Sequence, residues 1–309
     1  MGRSTSPGEN EAPKGSTVRI DLERRREGRP PRGRDVVATE EPLEIRIRFT
    51  PLGATEPIER TVSITMRTPG DDFDLATGFL HSEGVLPDPG AIARVSHCKS
   101  APGLSPGSPQ LFNIVTVDLR PGTTFDVTRL DRNFLTTSSC GVCGKASLEA
   151  LRLDGQHPVA PGPKVTTEVL RTLPDRLRAA QPLFEKTGGI HASGLFDTEG
   201  ELILVREDVG RHNALDKVVG ALITRGEIPA TERVLVVSGR ASYELVQKAV
   251  RAGIPILAAV GAPSSLAVET AVEFGATLLG FAGSAGFNIY CGAERIIGAA
   301  IARAAPGHA

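Results

Sequence analysis

Two cysteines, Cys140 and Cys143, stand in C-x-x-C spacing within "TTSSCGVCGKASLEAL" (Thr136–Leu151). Gly141 and Gly144 beside them keep the backbone approachable. Ser138 or Ser139 can cap a helix through "GKASLEALR". That cap places Cys140 at or just before the first turn, where unbonded N–H groups and the helix dipole favour the thiolate. Arg132 and Lys145 add positive charge nearby. Three chemistries use such a pair: a metal clip, a redox disulfide, and a thiol that carries sulfur as a persulfide. Zinc needs four protein ligands in a structural site and three in a catalytic one, yet Cys98 and Cys291 are isolated. Zinc deaminases place H-x-E before P-C-x-x-C. Here Ser139 precedes Cys140, and His191 lies after the pair and is followed by Ala192 and Ser193. A thioredoxin-like pair follows an early buried strand, whereas "DRNFLTTSS" reads as a loop. These points weigh against zinc and thioredoxin chemistry, and all three readings stay open on spacing alone.

The second constellation is "REDVGRHNALDK" (Arg206–Lys217). Arg206, Glu207, Asp208, Arg211 and Asp216 crowd five charges into eleven residues, which resist burial unless paired. The cluster therefore either pins a loop through ion pairs or lines a site. His212 at a helix start reads first as a hydrogen-bonded structural histidine, as does His191 on an apolar strand. Cys98 and Cys291 read as buried or half-buried thiols.

The elements that position these residues come from a chain of 309 residues, 40% apolar, with a net charge of −1. That length favours two domains or one large one. The charge balance points to neither nucleic acid nor an acidic membrane surface. Aromatics are 4% and Trp is absent, which argues against a base-stacking platform. Four cysteines do not make a disulfide scaffold, so a reducing, cytoplasmic setting is expected. No apolar run reaches membrane-spanning length. Residues 1–34 hold nine Lys/Arg against five Asp/Glu, with four Pro and five Gly, and read as a disordered basic tail.

Beyond the tail the pattern divides. "PLEIRIRF" (Pro42–Phe49) and "TVSITMR" (Thr61–Arg67) alternate apolar and polar residues and predict an antiparallel pair. "TPGDDFDLATGFLHSEGVL" predicts a helix that Thr68 and Pro69 can begin, with Leu75, Phe79 and Leu80 at helical spacing. "SHCKS" and "LFNIVTVDL" add strand. Residues 35–139 thus form a smaller β-rich α+β subdomain that ends in the C-x-x-C loop. Residues 140–309 read as two strands, "IHASGLF" and "ELILVRE", about a "DTEG" turn, then strands over "RVLVV", "PILAAV" and "TLLGF" alternating with helices over Arg211–Ile223, Ser242–Ala252 and Ser264–Phe274. That order predicts a parallel sheet with helices on its faces, and ligands collect at the carboxyl ends of such strands. Those ends are "EDVGRHN", "SGRAS", "GAPSS" and "GSAG", with Asp208, Arg211, His212 and Arg240 among them. Glycine loops that open helices can cradle a phosphate, and they also serve as ordinary turns.

Taken together, "DDFDLATGFLHSEGVL", "SSCGVCG", "GGIHASGLFD", "EDVGRHNALDKVVG", "SGRASYELVQKA" and "FNIY" resemble the FdhD family, the sulfur-carrier proteins required for formate dehydrogenase activity. The resemblance spans roughly Asp71 to Tyr290 in the family's order and leaves the tail outside. It implies an α/β fold with a cytidine-deaminase-like three-layer α/β/α domain that lacks the deaminase zinc set, so no intrinsic metal is expected. It implies a cytoplasmic homodimer that binds neither nucleic acid nor membrane. An IscS-like cysteine desulfurase would load sulfur onto the C-x-x-C pair, and apo formate dehydrogenase would be the recipient. The sulfur would pass to the molybdenum of bis(molybdopterin guanine dinucleotide), Mo-bis-MGD, bound as a client. By position the persulfide falls on Cys140, with Cys143 assisting. The family's cofactor-binding stretch falls on Phe281, Ala282, Gly283, Ser284, Ala285 and Gly286. Gly286 departs from the arginine frequent at the last of these places, so backbone N–H groups or Arg240 would have to meet the phosphates. Two other readings remain: a non-catalytic cofactor-binding chaperone for formate dehydrogenase, and a zinc-dependent deaminase-like hydrolase.

Overall fold

The computed structural model describes residues 15–25, 28, 30–51, 53–86, 88–98, 112–123 and 155–298. The first of these form an antiparallel ribbon, β1 (Thr17–Glu23) against β2 (Arg32–Ala38). This corrects the expectation of a disordered tail for the part from Thr17 onward; residues 1–14 lie outside the described residues. Composition averaged over 34 residues hid the signal, whereas "TVRIDLE" taken alone alternates apolar and polar side chains. The ribbon pairs its backbone locally across a short loop, at small entropic cost.

The two alternating segments pair as expected. β3 (Glu41–Phe49) runs antiparallel to β4 (Ile58–Arg67), with Glu41 opposite Arg67. β5 (Ile92–His97) and β6 (Ile114–Leu119) complete a sheet of order β4-β3-β6-β5. Leu43, Ile45 and Ile47 of β3 join Val62, Val115 and Val117 on one buried face. Helix α1 (Asp72–Ser82) covers that face with Leu75, Ala76 and Leu80. The helix starts at Asp72 and not at Thr68. Thr68 is already bonded to the loop around Asp208, and Gly70 and Asp71 turn the chain with φ of 117° and 54°.

The larger region holds β7 (Val165–Thr166), α2 (Thr167–Ala179), α3 (Pro182–Thr187), β8 (His191–Phe196), β9 (Leu202–Asp208), α4 (Arg211–Arg225) and β10 (Val234–Val237). It continues through α5 (Tyr243–Arg251), β11 (Ile256–Ala259), α6 (Ser265–Glu273), β12 (Thr277–Gly283), β13 (Gly286–Cys291) and β14 (Ile296–Ile297). β10, β11 and β12 are the parallel core. "VLVV" and "ILAA" are buried throughout, because helices cover both of their faces. Helices α4, α5 and α6 pack Leu215, Val219, Leu245 and Ala271 onto one face, and α2 packs Leu170, Leu173 and Leu177 onto the other. This is the three-layer α/β/α arrangement that the alternation of strands and helices calls for.

The sheet is not parallel throughout. Its order is β13-β12-β11-β10-β8-β9, with β8 antiparallel to both β9 and β10, and β13 antiparallel to β12. The short turns at "DTEG" and "SA" can only return the chain antiparallel. Two antiparallel steps still leave β9 running in the direction of β10. The carboxyl ends of β9, β10, β11 and β12 therefore share one edge.

The two regions meet where α1 crosses α4. A Cβ on Gly78 would overlap the Asp216 carbonyl, and one on Gly220 would overlap the Asp74 carbonyl, so the helices touch backbone to backbone. Lys248 of α5, buried, donates to both oxygens of Asp216 (2.9 Å each) and to Glu83 (2.8 Å) at the end of α1. Burial pushes the Asp216 carboxyl up to about 6 against the pull of Lys248. Burial alone would lower the Lys248 ammonium, but Asp216 and Glu83 outweigh it and hold the pKa above its ordinary value.

Candidate functional site

Backbone bonds lace the strand-end loops together. Gly261 N donates to Gly239 O (2.9 Å), Ser264 N to Ala241 O (3.0 Å) and Phe281 N to Gly261 O (3.2 Å). Gly261 is fixed by close approach, since a Cβ there would stand 2.9 Å from Arg240 Cγ and 3.1 Å from Arg240 Cα. Arg240 thus lies over Gly261 and is exposed at the edge. The half-buried His191 ring sits beside Gly239 at the same edge. Burial, then the Arg211 charge, hold its pKa below the ordinary histidine value.

Asp208 is structural. Fully buried, it pairs with Lys217 Nζ at 2.7 Å and accepts from Thr68 N (3.1 Å), Gly210 N (2.8 Å) and Asn213 Nδ2 (3.1 Å). Lys217 donates further to the carbonyls of Thr68 (2.9 Å) and Glu207 (3.2 Å), and Asn213 donates to Met66 O (2.8 Å). This knot ties the end of β4 to the start of α4. Arg206 bonds Asp74 of α1 at 2.9 Å. Glu207 accepts from Leu183 N (2.9 Å) and Phe184 N (2.8 Å), capping α3, and burial pushes its carboxyl up. Arg206, Glu207 and Asp208 thus pin the loop and Asp216 joins α4 to α5, which leaves Arg211 partly exposed at the edge together with His212. His212 Nε2 lies 3.2 Å from Ser242 Oγ and 3.7 Å from Glu244. Burial, then Lys248 and Arg211, push its pKa down to about 4, so the ring is neutral at pH 7. Sequence reading missed the role of Thr68 because its partner, Asp208, is 140 residues away.

The six residues expected to bind the cofactor form the β12–β13 hairpin rather than a loop after a last strand. Phe281, Ala282 and Gly283 end β12, Ser284 and Ala285 make the turn, and Gly286 opens β13. Phe281 is held at φ 54° beside a register shift between Gly280 and Gly283, and it is 55% exposed. Ala282 is buried on the α2 side. Arg171 of α2 donates from both Nε (2.8 Å) and Nη2 (2.6 Å) to the Ser284 carbonyl. No sequence signal connects Arg171 to this hairpin across 113 positions.

Cys140 and Cys143 lie in residues 124–154, outside the described residues, as does the helix expected after Ser139. Of the other cysteines, Cys98 is half-buried after β5, and Cys291 donates to Ala276 O at 3.3 Å. Burial pushes the Cys291 thiol above its ordinary pKa. Among the described residues no three His, Cys, Asp or Glu side chains converge on a point that would hold a metal ion, and no helix is long and apolar enough to cross a membrane.

Comparison with known proteins is consistent across sequence and fold. The family model described as the FdhD/NarQ family matches residues 38–297. A Streptomyces coelicolor protein named sulfur carrier protein FdhD is 50% identical over 91% of this chain and 95% of its own length. Proteins of the same name from Mycobacterium tuberculosis and Saccharolobus solfataricus are 47% and 42% identical, over 85% and 90% of this chain and 92% and 97% of their own lengths. A crystal structure described as a formate dehydrogenase accessory protein from Desulfotalea psychrophila superposes with a TM-score of 0.66 at 23% identity. It covers 91% of this chain and 99% of the other, which supports the fold.

Proposed function

The chain belongs to the FdhD/NarQ family, and we propose that it carries sulfur on Cys140 from a cysteine desulfurase to the molybdenum cofactor before that cofactor enters formate dehydrogenase. The observation that carries this reading is the Cys140–Cys143 pair, set in a chain half-identical to proteins named sulfur carriers. It acts as a homodimer in the cytoplasm, with an IscS-like desulfurase and apo formate dehydrogenase as its partners.

The chemistry closes in two exchanges. In the first, the Cys140 thiolate attacks the outer sulfur of the desulfurase persulfide. A sulfur–sulfur bond forms on Cys140, and the desulfurase leaves as thiolate. In the second, the Cys143 thiolate attacks Cys140 Sγ. The cysteines close as a disulfide, and the terminal sulfur takes up a proton and leaves with the bonding pair as hydrosulfide, the source of the sulfur for molybdenum. A cellular dithiol then reduces the disulfide and returns the pair to its starting state. A persulfide is more acidic than its thiol, so its terminal sulfur is largely anionic near neutral pH.

The strand-end edge suits the client's other end. A guanine dinucleotide presents pyrophosphates, which call for backbone N–H groups and cations. The hairpin over Phe281–Gly286 offers the first and Arg240 the second. With Gly286 in place of an arginine, the cation has to come from a different part of the chain.

The test is mass spectrometry of purified protein after incubation with desulfurase and cysteine. The wild type is expected to gain about 32 Da, one sulfur atom held as a persulfide, and Cys140→Ala to gain nothing. No adduct on the wild type, or the same adduct on Cys140→Ala, would remove Cys140 as the carrier.

A further inference from the structure

We propose that Arg171 is the latch that holds the β12–β13 hairpin in its ligand-receiving shape and supplies the cation that Gly286 does not. The inference rests on the reading of Phe281–Gly286 as the cofactor-binding stretch and names the residue that positions it.

Three observations carry it. The first is the geometry of the bond. Nε and Nη2 lie on one edge of the guanidinium, and both donate to the single Ser284 carbonyl, at 2.8 and 2.6 Å. A charged donor pair on one acceptor makes a stronger bond than a neutral one. Nη1 has no partner among the described residues, and Arg171 is exposed, so one edge of the cation stays available beside the turn.

The second is how little else fixes the turn. A Cβ on Gly283 or Gly286 would meet nothing within 4 Å, and Ser284 and Ala285 are exposed. Among the described residues, the side-chain bond to the turn comes from Arg171. Helix α2 gives that arginine a rigid base, because Leu170 and Leu173 on either side of it are fully buried in the core under the sheet.

The third is backbone strain at the hairpin's root. Phe281, a bulky residue, is held at φ 54° while 55% exposed, a conformation that costs free energy and persists only where the surroundings enforce it. Its amide is pinned to Gly261 O on one side, and the turn is pinned to Arg171 on the other. Arg240, over Gly261, is the second cation of this arrangement. The hairpin is thereby tied at its root to the β11 loop and at its turn to α2.

Two readouts test the latch and separate its failure from that of the cofactor-site reading. Hydrogen–deuterium exchange needs no ligand. In Arg171→Ala, amides of residues 281–286 are expected to exchange at least ~10-fold faster, through loss of local protection, while the β10 and β11 amides keep their wild-type rates. Arg171→Lys, which can place one donor on Ser284 O, is expected to fall between. Unchanged exchange in Arg171→Ala would overturn the latch. The second readout is binding of guanosine diphosphate, used as the probe for one nucleotide end of the client. Kd is expected to rise ~10-fold in Arg171→Ala, the loss of one charge-assisted contact of about 1.4 kcal/mol, with partial recovery in Arg171→Lys and unaltered persulfide loading on Cys140 in all three proteins. Equal Kd in wild type and Arg171→Ala would overturn the binding role. If the wild type binds no guanosine diphosphate while the exchange change is present, the binding role falls with the cofactor-site reading.

Discussion

Formate dehydrogenase produced alongside a Cys140→Ala form of this protein is expected to lose at least ~100-fold in specific activity, because a side chain that carries a covalent intermediate has no substitute. The substitution removes one sulfur atom from a glycine-flanked segment and leaves Asp208, the hairpin and Arg240 in place. On the proposed reading the cofactor-binding stretch is untouched, so dehydrogenase polypeptide and molybdenum content are expected to stay near wild type. The defect should thus appear as cofactor-loaded, sulfur-poor enzyme. A protein that only chaperones the cofactor predicts the opposite: full dehydrogenase activity with Cys140→Ala, since neither cysteine would then take part in a bond exchange. The measurement is specific activity per molybdenum in enzyme purified from matched strains. Cys143→Ala is informative beside it, because the two-exchange scheme predicts that it still loads sulfur and releases it slowly.

Asp208→Ala is expected to destabilise the fold by about 3–5 kcal/mol, the cost of leaving a buried ionic partner unpaired. Lys217 Nζ lies 2.7 Å from the carboxylate, and side-chain exposures are 1% and 0%. Removing the carboxylate strands that ammonium together with the N–H groups of Thr68 and Gly210 and the amide of Asn213, all facing the same vacated space. The stability of a domain is of order 5–15 kcal/mol, so the loss is a large share of the total. Replacing both partners by apolar residues of similar size, Asp208→Leu with Lys217→Met, is expected to cost less than Asp208→Ala alone, because no unpaired charge is then left at this point of the core. Urea unfolding of the three proteins reads this directly from the midpoints. Wild-type stability in Asp208→Ala would mean that the knot between β4 and α4 carries no weight and that Asp208 has to be reconsidered as a ligand-facing group.

How much of this was legible in the sequence depended on distance along the chain. Strands β10 and β11 and helices α4 and α5 were readable because their cores are continuous apolar runs or one-faced stripes, signals that lie within a few residues. The order of the sheet was harder. Periodicity places β8 and β9 as strands but does not say that β8 inserts between β9 and β10. The ribbon over Thr17–Ala38 was lost to composition, since nine basic residues outweighed a seven-residue alternation. At the site, spacing and context narrowed the chemistry of Cys140 and Cys143 without choosing one, and both lie outside the described residues. The charge cluster at Arg206–Asp216 presented two possible roles. Only the packing of Thr68, Asn213 and Lys217 around Asp208 shows that most of it holds the fold. Arg171 could not have been found from sequence, because it meets Ser284 only once α2 and the hairpin share a face of one sheet.

The central claim is that sulfur travels through this protein to the cofactor, and transfer of label tests it most directly. The wild-type protein would be loaded by desulfurase with radiosulfur from labelled cysteine, freed of desulfurase and cysteine, and mixed with Mo-bis-MGD, a dithiol reductant and apo formate dehydrogenase. The account predicts that label leaves Cys140, appears in the molybdenum cofactor of the dehydrogenase, and rises in step with enzyme activity. Active dehydrogenase without label, or label that stays on Cys140 while activity rises, would contradict it.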